Sequence, residues 1–242
     1  MNTNSDWFIS WFDTSYYHIL YKDRDDTDAR IFMQNITSFL NLKNQTHILD
    51  LACGKGRHSV FLNSLGYKIT GVDLSENNIT SAKLKSNNRL NFEVHDMRDS
   101  FNEKFDAIFN LFTSFGYFED DNEDIKVLKN IKNGLKSNGL AVIDFLNVNT
   151  VKKGLVSNEI KSIDGIDFNI SKKIENGFII KEITFEDNGK EHSYFERVKY
   201  LDLAKFTSYF EKSGLKIKHI FGDYDLSKYD ENTSKRLIFV VS

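Results

Sequence analysis

Residues Thr46 to Leu62 read THILDLACGKGRHSVFL: an apolar run of strand length, two glycines two residues apart, then a segment of helical character. A strand that enters a helix through Cys53-Gly54-Lys55-Gly56 puts a tight turn at its carboxyl end, where open α/β sheets bind ligands. Glycines in such a turn admit positive φ and let a ligand approach the main chain closely. The spacing speaks against two phosphate-binding loops. A dinucleotide fingerprint needs a third glycine where this chain has Ser59, and a P-loop needs Gly-Lys-Ser/Thr where Lys55 is followed by Gly56.

Outward from this loop, strand-like and helix-like segments alternate, which predicts a parallel sheet. The strands are expected at His47 to Leu51, Lys68 to Val72, Asn91 to His95, Phe105 to Phe109 and Leu140 to Phe145, with helices beginning near Arg57, Ser75 and Asp121. In the last helix Ile125, Leu128, Ile131 and Leu135 fall at helical spacing, and Asn138-Gly139 reads as its stop signal. Two helical stretches precede the first strand, SDWFISWFDTSYYHILY and DDTDARIFMQNITSFLNL. Beyond Ser157 the rhythm changes. Asp164-Gly165, Asn176-Gly177 and Asn188-Gly189 recur every twelve residues between β-branched and aromatic runs. Such pairs favour type I′ hairpin turns, whose two central residues both need φ > 0. Four short antiparallel strands are therefore expected, followed by a helix from Asp202 to Ser213 and a terminal antiparallel pair.

The chain of 242 residues is 40% hydrophobic and 14% aromatic, enough to bury a sizeable core. Its charges nearly balance at −3, so no global field would hold a polyphosphate backbone. Cys53 is the one cysteine, so no internal disulfide is possible. The N-terminal stretch carries acid and Trp where a signal peptide would be basic and purely apolar, and no window approaches ~18 uninterrupted apolar residues. A soluble, cytoplasmic protein without membrane or nucleic-acid partners is expected. Proline is absent, so Gly, Asn, Asp and Ser must make the turns.

Asp50 at the end of the first strand gives D-L-A-C-G-K-G, which resembles motif I of class I S-adenosylmethionine-dependent methyltransferases. Three further strand ends match in register. The second closes in GVDLS, with Asp73 seventeen residues after Gly56, where a carboxylate can accept from both ribose hydroxyls. The third closes in VHDMRD, where the family holds the adenine amino group with an acid, here Asp96, and the ring through the next backbone N–H, here Met97. The fourth, FDAIFNLFTSFGYF, is similar to the family's segment beneath the methyl group. The resemblance covers about Thr46 to Asn147, and more loosely both ends. It implies a Rossmann-like parallel sheet with a terminal antiparallel strand pair, helices on both faces and a small antiparallel β insertion. It further implies S-adenosyl-L-methionine as cofactor, no metal, and a cofactor site of Asp50, Ala52, Gly54, Gly56, Asp73, Leu74, Asp96, Met97, Asn110 and Phe112. Related small-molecule enzymes fold an aromatic and basic segment over the cofactor, which adds Tyr17, Tyr21 and Arg24. One methyltransferase domain over 1–242 is expected: a helical lid (1–42), a cofactor-binding core (46–150), a hairpin insertion (156–200), and a return helix with terminal strands (202–242).

Adenine-N6 and cytosine-N4 methyltransferases carry an acid or Asn, two prolines and an aromatic at the fourth strand's end. This chain has Asn110-Leu111-Phe112-Thr113. Asp144 with Asn147 is too thin for the metal cluster of the catechol type. The resemblance is to small-molecule N- and O-methyltransferases, including those acting on amino sugars or glycine, so a small-molecule methyl acceptor is expected as partner. The alternatives are an adenosylmethionine-binding module without transfer, and an RNA or protein methyltransferase. Against the latter, Lys172, Lys173, Lys181, Lys190, Arg197 and Lys199 in the insertion alternate with Glu175, Glu182, Glu186, Glu191 and Glu196. His18, Tyr117, Asp144, His192 and Arg197 are candidate polar groups for proton handling. Nothing in the sequence names a base or an oligomeric state.

Overall fold

A computed structural model describes residues 7–22 and 26–242. The central sheet grows from β1 (His47–Leu51), whose five residues are all buried. Ile48 belongs to one hydrophobic core and its neighbours Leu49 and Leu51 to another, as expected of a strand covered on both faces. From β1 the chain runs through α4 (Arg57–Ser64) to β2 (Lys68–Asp73), then through α5 (Glu76–Lys83) to β3 (Leu90–Val94). It crosses back to β4 (Phe105–Asn110) and continues through α6 (Asp121–Gly134) to β5 (Leu135–Leu146). After α8 (Leu203–Ser213), β10 (Ile217–Phe221) and β11 (Arg236–Val241) complete the sheet. Its spatial order is β10-β11-β5-β4-β1-β2-β3, with β1 to β5 parallel and β11 antiparallel to both β5 and β10. The strand order reverses at β1 and β4, so the crevice at their carboxyl ends is the natural ligand site.

The stop of α6 differs from expectation. The helix ends at Gly134, and Leu135 turns extended to pair with Phe105, ahead of Asn138-Gly139. A Cβ on Gly134 would lie 2.7 Å from the Phe101 ring, so the close approach needs glycine there. Lys136, next after Leu135, bonds both carboxylate oxygens of Asp106 at 2.9 Å. Buried strand pairing by Leu135 outweighs one more helical turn. A short helix, α7 (Val148–Lys153), follows β5 and was not expected.

β6 (Asn158–Ile163), β7 (Ile166–Glu175), β8 (Phe178–Asp187) and β9 (Lys190–Lys199) form a separate antiparallel sheet in that order. All three turns have positive φ at both central residues, 50–52° at Asp164, Asn176 and Asn188 and 75–82° at the glycines. The helical opening is split. α1 (Trp7–Phe12) stops and Thr14 caps α2 (Ser15–Leu20), its Oγ1 accepting from the Tyr17 N–H at 3.1 Å. Trp7, Phe8 and Trp11 are buried in the same core as Phe168, Ile170, Ile183 and Phe185 of the antiparallel sheet. α3 (Asp26–Phe39) contributes Phe32, Met33 and Ile36 to the opposite face.

Candidate functional site

The turn after β1 is held by its own backbone. Ala52, Gly54 and Gly56 have φ of +67°, +56° and +75°, and the Gly56 N–H donates to the Cys53 carbonyl at 3.0 Å. The two glycines serve different ends. A Cβ on Gly56 would stand 2.5 Å from the Phe92 ring, whereas a Cβ on Gly54 meets nothing within 4 Å and faces open space. Cys53 is buried, and burial first, then the charges of Asp50 and Asp73, push its thiol well above the ordinary range. It is a packing residue, not a nucleophile.

Around this turn stand three carboxylates, each at or just past the carboxyl end of one of three neighbouring strands. Asp50 on β1 is 4% exposed and accepts from the Ser59 hydroxyl at 2.5 Å. Burial raises its pKa to about 6, the Ser59 hydrogen bond opposing and the Asp73 charge adding. Asp73 on β2 accepts from the Gly54 N–H at 2.8 Å and the Ser75 N–H at 2.9 Å. Burial raises its pKa as well. Leu74 beside it packs into the larger core, and Ser75 caps α5. Asp96, beyond β3, is gripped by Arg98. The Met97 carbonyl accepts from Asn130 on α6 at 3.2 Å.

The wall at β4 is built by the sheet itself. Asn110 is 1% exposed, and its amide nitrogen donates to the carbonyls of Leu51 (3.1 Å) and Ser114 (3.2 Å). Its oxygen is thereby fixed as the free end. Phe112 and Thr113 adopt φ of +59° and +66°, rare for such residues. Asp144 holds that strain, its Oδ2 accepting from the Phe112 N–H at 2.7 Å and its backbone carbonyl from Thr113 N–H at 3.0 Å. Arg236 pairs with the other oxygen at 2.8 Å. Asp144 and Asn147 are thus structural, Asn147 capping α7.

The roof is α1 and α2. Asp13 between them accepts from Ser75 Oγ at 2.7 Å and Asn77 Nδ2 at 2.6 Å, pinning the helices to the start of α5. Tyr17 packs edge-on against Phe12 (5.0 Å) and Trp11 (5.7 Å) and tilted against Tyr21 (4.9 Å). The Tyr21 hydroxyl is engaged elsewhere, donating to Glu196 on β9 at 2.5 Å, where Trp11 Nε1 also donates at 2.9 Å. Arg24 lies outside the described residues. Of the proton-handling candidates, Tyr117 donates to the Thr113 carbonyl at 2.5 Å, His192 stacks on Phe185 at 4.9 Å, and Arg197 pairs with Glu119. Among the described residues, three buried polar atoms of the roof and the β4 wall lack a partner: Trp7 Nε1, His18 Nε2 and Asn110 Oδ1. Buried polar atoms normally have partners, so these suit a polar ligand. Sequence reasoning missed Ser59, Arg98 and Arg236; only the Asp-x-Arg spacing of Asp96 and Arg98 offered a local signal.

A glycine turn flanked by acids thus stands at the switch point of an open α/β sheet, where such sheets bind ligands, and comparison with known proteins narrows the class. A family model described as "Methyltransferase domain" matches residues 48–139. A putative methyltransferase, YqeM of Bacillus subtilis, is 35% identical over 108 residues, which cover 43% of this chain and 44% of that protein. The chain therefore spans less than half the length of this curated relative. The crystal structure of an S-adenosylmethionine-dependent methyltransferase from Clostridium acetobutylicum superposes with a TM-score of 0.79 at 21% identity, covering 94% of this chain and 95% of that one. The sugar N-methyltransferase KedS8 from Streptoalloteichus gives 0.71 at 18% identity over 93% and 92%. Residues 48–139 thus match a methyltransferase domain, and the chain shares its fold along nearly its whole length with solved S-adenosylmethionine-dependent methyltransferases.

Proposed function

We propose that this chain is an enzyme that transfers a methyl group from S-adenosylmethionine to a nitrogen or oxygen of a small-molecule acceptor. The observation that carries the reading is the placement of Asp50, Asp73 and Asp96 at or just past three neighbouring strand ends, beside a glycine turn in which Asp73 bonds the Gly54 N–H and Gly54 faces open space. When bound, adenosylmethionine supplies an electrophilic methyl on a sulfonium, so the protein's work is to position and to exclude water. Asp73 would take the ribose hydroxyls, Asp96 the adenine amino group, and Asn110 Oδ1 a donor from the aminoacyl end. Asp50, a buried acid, would face the positive charge of the bound ligand. Tyr17 and, outside the described residues, Arg24 belong to the proposed lid.

Several features support a small acceptor. Trp7, Phe8 and Phe12 of α1 lie 5.5, 6.1 and 5.6 Å from Tyr117, and Phe195 of β9 lies 5.6 Å from Trp7. That aromatic wall suits a compact carbon frame better than a charged polymer. Lys172, Lys173 and Lys181 on the antiparallel sheet are matched by Glu159, Glu182 and Glu196, so the sheet offers no bare basic stripe. No described helix is long and apolar enough to cross a membrane. The structural likeness to a sugar N-methyltransferase favours an amine acceptor such as an amino sugar. We further propose that lid, core, insertion and return segment work as one catalytic unit in the cytoplasm.

Calorimetric titration with S-adenosylhomocysteine and, separately, NADH tests the cofactor assignment. Micromolar binding of the first alone supports it, and labelled methyl donor with amino sugars, glycine and hydroxy compounds then finds the acceptor. Binding of NADH instead would overturn the reading.

A further inference from the structure

Among the described residues, Phe112 and Thr113 are the only two consecutive non-glycine residues with positive φ. An aromatic and a β-branched side chain both resist that conformation, and they keep it only where the surroundings over-determine it. Asp144, fully buried, engages both N–H groups, but its carboxylate must itself be held in plane. Arg236, the first residue of β11, does this. Its Nε donates to Asp144 Oδ1 at 2.8 Å and its Nη2 to Thr113 Oγ1 at 2.9 Å, while the guanidinium lies 5.4 Å over the Tyr224 ring. One planar fork thus holds both the brace and the residue it braces, which the point charge of a lysine could not do.

The same turn reaches forward to the roof. The Thr113 carbonyl accepts from the Tyr117 hydroxyl at 2.5 Å, and the Tyr117 ring meets Trp7 edge-on at 5.5 Å. Thr113 therefore takes Arg236 on its side chain and Tyr117 on its main chain. The last strand of the sheet and the aromatic wall under the roof are joined through this one residue.

Resting on the methyl-transfer reading above, we infer that Arg236 is a positioning residue for the methyl acceptor. Through Asp144 and Thr113 it sets where the Tyr117 ring stands, and with it the wall against which the acceptor lies. The bonds of Gly54 and Asp73 run to each other and to Ser75, so the cofactor side of the cleft has its own brace. Alignment of acceptor with methyl is the main work of such a site, and a misplacement of about 1 Å can cost on the order of a hundredfold in rate.

The chain has two tryptophans, Trp7 and Trp11, so protein labelled with ¹⁵N-tryptophan shows two indole N–H signals, which Trp7→Phe assigns. Trp7 stands against Tyr117, whereas Trp11 lies 4.7 Å from Tyr194 with its N–H on Glu196. Thr113→Val keeps the β-branch and the Asp144–Arg236 pair and removes only the hydroxyl; Arg236→Lys keeps the charge and removes the fork. Each is expected to move the Trp7 signal, to leave the Trp11 signal in place, and to keep the affinity for S-adenosylhomocysteine within about twofold of the wild type. If Arg236→Lys does not fold, Thr113→Val decides alone. A Trp7 signal that stays in place in Thr113→Val overturns the inference. A shift of both signals with a matching loss of affinity also overturns it, because that marks a general loosening of the fold. Failure of the wild type to bind S-adenosylhomocysteine removes the methyl-transfer reading itself, and this inference with it.

Discussion

The Gly54 N–H donates to Asp73 Oδ2 at 2.8 Å, so the glycine turn after β1 and the acid at the end of β2 are one unit. Asp73 also takes the Ser75 N–H, and removing its carboxylate strands two backbone donors. Asp73→Ala is therefore expected to weaken S-adenosylhomocysteine binding by about 1–3 kcal/mol and to lower folding stability by a similar amount. Calorimetry and urea unfolding on the same preparation measure the two. A loss of stability without a loss of affinity would reduce Asp73 to a brace for the turn.

Gly54 and Gly56 should respond in opposite ways to alanine. At Gly56 positive φ combines with a 2.5 Å approach to Phe92, so Gly56→Ala should cost about 2–4 kcal/mol of stability. Gly54→Ala meets no neighbour and should cost only about 1 kcal/mol, while weakening cofactor binding at least tenfold by filling the cleft. Unfolding midpoints and titration of both variants check this contrast.

Asp50 makes stability depend on pH. Its folded pKa of about 6 lies above its ordinary value of 3.8, so between these values the folded state binds more protons than the unfolded. The stabilisation is complete below about pH 4 and disappears as pH rises through 6. The difference corresponds to about 3 kcal/mol. Asp50→Asn, which still accepts from Ser59, should be more stable than the wild type at pH 7 and should flatten the profile between pH 4 and 6. Denaturant midpoints across that range are the measurement.

Lys199, 4% exposed, bonds Asp124 on α6 at 2.6 Å and Asp121 at 2.9 Å. Asp124 is fully buried. Lys199→Ala leaves that carboxylate without its cation and should cost about 3–5 kcal/mol, while the pair Lys199→Met with Asp124→Leu should recover most of it. Thermal unfolding of single and double variants gives the comparison.

The parts legible in the sequence are those that local chemistry decides. Asn-Gly and Asp-Gly dictate hairpin turns wherever they stand, and apolar runs broken by helical spacing dictate a parallel sheet. The acids at three strand ends were legible because each closes an apolar run of strand length in register with the glycine turn. The end of α6 was not, because the Phe101 ring and the Phe105 register lie elsewhere in the chain. Nor was the support of Phe112: Asp144 and Arg236 are 92 residues apart, and no local pattern pairs them. The opening helix broke at Thr14 because a capping hydroxyl competes with helix continuation, a signal present in the sequence and outweighed by the aromatic periodicity around it.

The roof has a consequence for how the molecule comes into being. Trp11 and Tyr21 find their common partner, Glu196, 185 and 175 residues later in the chain. At about 5–20 residues per second, a ribosome needs on the order of 10–40 s to deliver it. α1 and α2 are six residues each, too short to persist alone in water. α1 and α2 thus emerge long before the strand that holds them, and settle only once β9 has been made.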